Sequence, residues 1–330
     1  MLNKKEDIKF CFVVFLSHID YIKECLDSLI NQSYKNFEII IIGHKSIDKT
    51  LTIAKSYANK YKYIKIIEQY NTDNSEAKNI GLSNVKADYV LFVNGNDFVQ
   101  INLLEELTKS INNLGVLDII IFDFFKYTKK QVSKKVIEIK KLKSQKLIPN
   151  IIYNNTLNDK QVLLKSSYTA INKCFNVSFL QKNNITFLNN ALYEDISFFW
   201  QTTLLSKKVL YINKSMYCFR EKINKEKDIK KQINSQKSIL AVFSAVNNFL
   251  VSFKLFNIYK NLFINTMLKT FVNVLAQSNN KKEFFVQISN FIQYINLTKL
   301  IFNINLYKLF EYYLIKKRQY ILWRILYKWF

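Results

Sequence analysis

The residues that interrupt regular structure most strongly all sit in the first 150 positions: Gly43, Gly81, Gly95, Gly115 and the single proline, Pro149. From Asn150 to Phe330 there is neither glycine nor proline, which favours long helices there over a many-turned β architecture. The first part has a different pattern. Apolar, β-branched and aromatic runs at Phe10 to Leu16, Glu38 to Ile42, Tyr63 to Ile67, Asp88 to Val93 and Ile119 to Phe124 read as buried strands. Between them, apolar residues recur at helical spacing: Ile22, Cys25, Leu26 and Leu29; Ala54 and Tyr57; Ala77, Ile80 and Leu82; Leu103, Leu104 and Leu107. Ser46 or Asp48, and Asn74 or Ser75, suit the N-caps of two of these helices. Strands alternating with helices in this way predict an α/β fold, a mostly parallel sheet flanked by helices, followed by a helical C-terminal region.

An apolar fraction of 49% with 15% aromatics excludes a disordered chain, and a net charge of +24 calls for an anionic partner. Cys11, Cys25, Cys174 and Cys218 stand singly in apolar contexts, so they read as buried thiols in a reducing compartment. The opening residues are too polar for a secretory leader, and no window offers 18 uninterrupted apolar residues. The lysine-rich stretch from Lys126 to Lys146 reads as a solvated basic strand pair or loop. It lacks interleaved aromatics for base stacking, and no nucleic-acid partner is expected. Residues 231–330 carry 14 Lys and Arg against Glu283 and Glu311, a net of +12. The last of these residues join Trp323, Trp329, Tyr320 and Phe330 to Lys316, Lys317 and Arg318. That composition suits a helix lying on an anionic membrane surface, or alternatively a bundle with solvated lysines.

Two polar clusters have chemistry to offer. The strand from Asp88 ends in Asn94, Gly95, Asn96 and Asp97, either an ordinary turn or the edge of a binding site, since open parallel sheets bind ligands outside the carboxyl ends of their strands. Glu194 and Asp195 precede the apolar run Ile196, Phe198, Phe199 and Trp200. They are either first-turn charge and a helix cap, or carboxylates available for proton transfer.

Taken in order, Tyr21, Cys25, Leu26, Ser28, Leu29, Gln32, Ser33, Tyr34, Glu38, Ile39 and Ile40, and then Asn71, Ser75, Ala77, Lys78, Asn79, Gly81 and Leu82, resemble the N-terminal half of family 2 glycosyltransferases. Asn172, Lys173, Phe175, Phe179, Leu180, Asn184, Ile185 and Phe187 resemble the acceptor-side segment of that family. Tyr193, Glu194 and Asp195 resemble its acidic pair, and Tyr217, Phe219 and Arg220 its closing Tyr-x-Tyr-Arg. The resemblance implies a GT-A (Rossmann-like) domain over 1–225, with a nucleotide-sugar half at about 8–125 and an acceptor half at about 126–225, and leaves 226–330 as the helical, basic region. It further implies an inverting enzyme that moves a sugar from a nucleotide-sugar donor to a surface-glycan acceptor such as lipooligosaccharide, capsule or a lipid-linked glycan. The place would be the inner face of the cytoplasmic membrane, held peripherally. Asp195 would be the general base, assisted by Glu194. Ser17, His44, Asp48, Lys78, Asn94, Asn96 and Arg220 would bind the donor, and Asp97 with Asn96 would hold Mn²⁺ or Mg²⁺.

The pattern is broken at the donor site. Gly43 and His44 stand where the family has two aspartates, Lys78 replaces an arginine, and the Asp-x-Asp motif reads Asn94-Gly95-Asn96. Three readings stay open: Asp97 takes over the metal, the enzyme works without one, or the chain is a catalytically degenerate paralogue serving as a binding or assembly subunit. The active readings need the end of the fourth strand and the acidic pair to meet across a single cleft.

Overall fold

The computed structural model describes residues 7–16, 21–44, 49–69, 74–130, 136–142, 147–220, 229–277 and 281–294. Its elements run β1 (Phe10–Phe15), α1 (Ile22–Ile30), β2 (Phe37–His44), α2 (Lys49–Lys60), β3 (Ile64–Gln69), α3 (Asn74–Ser83), β4 (Tyr89–Asn94), β5 (Phe98–Val99) and α4 (Leu103–Leu114). They continue with β6 (Ile119–Lys130), β7 (Val136–Leu142), β8 (Ile152–Tyr153), α5 (Leu157–Leu163), β9 (Lys173–Asn176), α6 (Val177–Lys182), α7 (Glu194–Leu205) and β10 (Val209–Arg220). Three long helices follow: α8 (Ile229–Ser252), α9 (Phe256–Gln277) and α10 (Lys281–Tyr294).

The strands form one sheet in the order β3-β2-β1-β4-β9-β6-β10-β5, with β7 on β6 and β8 on β10. The expected parallel sheet holds for β3-β2-β1-β4. Beyond β4 the sheet is mixed, because β9 runs antiparallel to both β4 and β6, while β10 returns parallel to β6. The lysine-rich stretch is the antiparallel pair β6 and β7. The sequence past Pro149 supplies β8, β9 and β10 before its long helices begin, so the long helices favoured by the lack of glycine and proline occupy the part from α8 onward. Asparagines do what glycine would do elsewhere: Asn150, Asn184 and Asn190 take φ of 59°, 51° and 55°. Their short polar side chains tolerate the left-handed region better than other non-glycine residues.

Alternation along β1 feeds two cores. Phe10, Phe12 and Val14 pack with Cys25, Leu26, Leu104 and Tyr217 on one face, whereas Cys11, Val13 and Phe15 pack with Ala77, Phe187 and Phe198 on the other. Helix α3 lies very close to the sheet on the second face. A Cβ at Gly81 would come within 2.2 Å of a Val13 methyl, so only glycine allows that approach. All four cysteines are buried and free, as their apolar contexts suggested.

The chain divides into two compact units, 1–190 with 194–225, and 191–193 with 226–330. The second holds α8, α9 and α10 around Phe243, Phe263, Phe271 and Phe284, whose rings meet edge to face. No described helix is long and apolar enough to cross a membrane. The terminal aromatic and basic segment expected at a membrane surface lies outside the described residues.

Candidate active site

The acidic pair opens α7, and a lysine from α3 reaches it. Lys78 Nζ donates to Glu194 Oε1 at 2.6 Å and to Asp195 Oδ1 at 2.7 Å, with its side chain only 5% exposed. Burial pulls the ammonium's pKa down, but the charges of Asp195 and Glu194 more than offset it, leaving Lys78 above its usual value. Burial also raises Glu194, against the opposing pull of Lys78 and with some help from the Asp195 charge. The second oxygen of Asp195 accepts from the backbone N–H of Ala170 at 3.2 Å. Each oxygen of a carboxylate has two acceptor directions, so Asp195 keeps room on both to take a further proton or hydroxyl. Its side chain is 18% exposed, so that room is reachable.

Two further residues fix this cluster. Asn79, next to Lys78, donates to Phe187 O at 2.8 Å and accepts from Phe187 N at 2.9 Å, tying the segment ahead of α7 to α3. Lys173 Nζ donates to the carbonyls of Ser167 and Thr169 and to Asn172 Oδ1, holding the loop that presents Ala170. Sequence reasoning gave neither residue a role, although both lie in segments quoted for the family resemblance. Their partners are carbonyls, which no residue pattern announces.

At the end of β4 the geometry differs from expectation. Asp97 is 2% exposed. One of its oxygens accepts from Tyr217 OH at 2.6 Å and Asn94 Nδ2 at 2.7 Å, and the other from Arg220 N at 2.9 Å. Burial raises its pKa while these donors hold it down. Arg220 Nε donates to Asn96 O at 3.0 Å, and its NH₂ group pairs with Glu24 at 2.6 Å. Tyr21 and Tyr127 stack on the guanidinium, with ring centroids 3.9 and 4.8 Å away.

These contacts reassign several expected residues. Lys78, expected at the donor, is committed to the acidic pair. Asn94 turns its amide donor onto Asp97. Asn96 offers its backbone carbonyl to Arg220, while its side-chain Oδ1 is buried with no hydrogen-bond partner among the described residues. His44 closes β2, and nothing is described of its side chain; Ser17 and Asp48 lie outside the described residues.

Hard divalent cations need anionic oxygens. The Asn94–Asp97 turn does not fit one: two of its oxygen-bearing side chains are neutral amides, and its one carboxylate faces inward with both oxygens bonded. Among the described residues no group of three His, Cys, Asp or Glu is placed to hold a metal.

Asp97 lies on the side of Cys25 and Tyr217, whereas Lys78 sits over Phe15 and Phe187, which belong to the other core. The two clusters flank the same strand ends, since Phe15 and Asn94 are register partners at the termini of β1 and β4. Gly95 turns the chain between them, its N–H on Phe15 O at 3.0 Å.

Among characterised proteins, the chain is 29% identical over 216 residues to glycosyltransferase GlyA of Streptococcus pneumoniae, covering 65% of this chain and 31% of that protein. It is 30% identical over 214 residues to the cholesterol galactosyltransferase of Borreliella burgdorferi, covering 62% of this chain and 58% of that protein. The chain thus spans less than two thirds of the length of either. Of solved structures, S. aureus TarS 1-349 in complex with UDP-GlcNAc matches with a TM-score of 0.56 at 17% identity, over 88% of this chain and 91% of that one. The mannosyltransferase PcManGT of Pyrobaculum calidifontis, in complex with GDP-Man and Mn²⁺, matches at 0.51 and 10% identity, over 96% and 86%. These likenesses agree on the fold, a GT-A-type sheet with flanking helices. The family model for glycosyl transferase family 2 matches residues 11–182. That is more than half of the sequence, and the chain therefore belongs to glycosyl transferase family 2 and carries its transferase domain.

Proposed function

We propose that the chain is an inverting glycosyltransferase that moves a sugar from a nucleotide-sugar donor onto a hydroxyl of a surface-glycan or lipid-linked acceptor, with Asp195 as the general base. The observation that carries this reading is the Lys78–Glu194–Asp195 cluster beside the carboxyl ends of β1 and β4. A buried ammonium within 2.6–2.7 Å of two adjacent carboxylates compensates their charge and fixes their position, which a base requires and a plain helix cap does not. In the reaction the acceptor oxygen attacks the anomeric carbon from the face opposite the nucleotide. Asp195 takes the hydroxyl proton as the new C–O bond forms, and the electron pair of the breaking bond leaves on the diphosphate. Lys78 and the Ala170 N–H hold Asp195 in one orientation, and Glu194 would orient Asp195 or the acceptor hydroxyl.

The relatives support the donor and acceptor classes. TarS was solved with UDP-GlcNAc and PcManGT with GDP-Man, and one relative is named for transfer of galactose to cholesterol. An acceptor embedded in or linked to lipid suits a chain of net charge +24 working peripherally at an anionic membrane face. A binding-only paralogue would have no use for a buried, charge-compensated acidic pair.

The test is Asp195→Asn, assayed with a panel of UDP- and GDP-sugars. Transfer is expected to fall by about 10²- to 10⁴-fold, the usual worth of a general base, with nucleotide affinity unchanged. Transfer at the wild-type rate would remove Asp195 from the role.

A further inference from the structure

We propose that the donor's diphosphate is met by the guanidinium of Arg220 in place of a divalent metal, and that Glu24 occupies that guanidinium until the nucleotide arrives. This rests on the nucleotide-sugar reading above and goes beyond it. The end of β4 is where a cation is needed, and its side chains do not fit one. A positive charge is nevertheless fixed there by the fold: Arg220 is anchored through Nε to the Asn96 carbonyl and sandwiched against Tyr21 and Tyr127. The rings and the carbonyl set the plane of the guanidinium without neutralising it. Of the five N–H donors an arginine carries, one goes to Asn96 and one to Glu24, so three have no partner among the described residues. A planar fork with free donors suits the oxygens of a diphosphate.

Glu24 is the displaceable element. The Arg220 side chain is 9% exposed, yet the carboxylate it pairs with is 54% exposed, so the guanidinium is approached from solvent along the line Glu24 now takes. An ion pair with so exposed a partner contributes little. A diphosphate, with more charge and more acceptors, exchanges for it readily.

The experiment measures UDP affinity of the full chain by titration calorimetry, in EDTA and in Mn²⁺, with uridine as the uncharged control. Affinity for UDP is expected to agree in the two buffers within about twofold. Arg220→Met is expected to weaken UDP binding by about 10- to 100-fold, the range of a charge-assisted hydrogen bond, and Arg220→Lys by less. Because Arg220 also packs against two rings, circular dichroism accompanies both variants. Glu24→Gln, on the surface, keeps the idea falsifiable if the arginine variants unfold. Removing the competing carboxylate should tighten UDP binding by about three- to tenfold and leave uridine unaffected. Weaker or unchanged UDP binding in Glu24→Gln would overturn the inference, as would UDP binding that needs Mn²⁺, with the transferase reading intact. Absence of binding by both UDP and GDP in either buffer would overturn the nucleotide-sugar reading itself, and the inference with it.

Discussion

Of the three lysines buried among the described residues, Lys78, Lys160 and Lys173, the first and last are held in opposite ways. Lys78 meets two carboxylates, and its pKa stands above the usual lysine value although burial works against it. Lys173 meets only neutral oxygens, two carbonyls and an amide, with the ring of Phe199 5.2 Å away. There burial wins over the distant attraction of Asp195 and pushes the group down to about 7. Dipoles can satisfy the geometry of an ammonium without balancing its charge, whereas carboxylates do both. The first arrangement tightens a loop; the second maintains a charged site ready for chemistry.

The largest effect is expected where charges balance. Lys78→Met leaves Glu194 and Asp195 side by side, largely buried and without their cation. Breaking such a pair costs about 3–5 kcal/mol. The variant is expected to lose most of its stability margin in urea unfolding. Transfer should collapse with it, because the contact that holds Asp195 in place is gone. Lys78→Arg restores the charge and is expected to recover transfer. Equal loss in both variants would mean that the shape of the lysine matters more than its charge.

The two lysines were not equally legible in the sequence. The strands of the parallel half stood out as apolar runs, and α8, α9 and α10 as periodic segments free of glycine and proline, because burial on both faces, or along one stripe, leaves a one-dimensional trace. Glu194 and Asp195 were legible through their neighbours. The contact of Lys78 with the acidic pair leaves no trace in the sequence, since the carboxylates it binds lie 116 and 117 positions away, and spacing says nothing at that range. The burial of Asp97 is hidden for the same reason: its partner Tyr217 is 120 positions on. Strand β9 was missed because four residues beginning with a lysine, Lys173-Cys174-Phe175-Asn176, do not read as a central strand. The lysine is tolerated at its first position because three acceptors converge on it.

Lys173 allows a test of the neutral arrangement. Its folded pKa of about 7 lies below the ordinary value near 10.4. Below about pH 7 both folded and unfolded states hold the proton, and the cost of burying the charge is paid in full. Between about 7 and about 10.4 the unfolded state holds a proton that the folded state releases, so stability rises with pH across that window, by up to ~1.4 kcal/mol per pH unit. Lys173→Met removes this titrating group and should flatten the slope, leaving the smaller contribution of Lys160, which burial lowers to about 8. Urea unfolding of both proteins at about pH 7 and about pH 9 reads it directly. A wild-type slope that is undiminished in Lys173→Met would show that the carbonyls keep the ammonium charged, and the contrast with Lys78 would disappear.

The smallest effect is expected at the surface, where the same chemistry is repeated in water. Lys109 pairs with Glu105 one helical turn earlier at 2.7 Å, essentially the distance from Lys78 to Glu194, but the two side chains are 59% and 43% exposed. Solvent screens such a pair, and two long side chains lose freedom in making it, so closeness alone predicts nothing about stability. Lys109→Ala, at a position where alanine also favours the helix, should leave the melting temperature unchanged within error and leave transfer intact. A loss approaching that of Lys78→Met would mean that contact distance, and not removal from water, governs these lysines, which would undercut the weight placed on burial at the acidic pair.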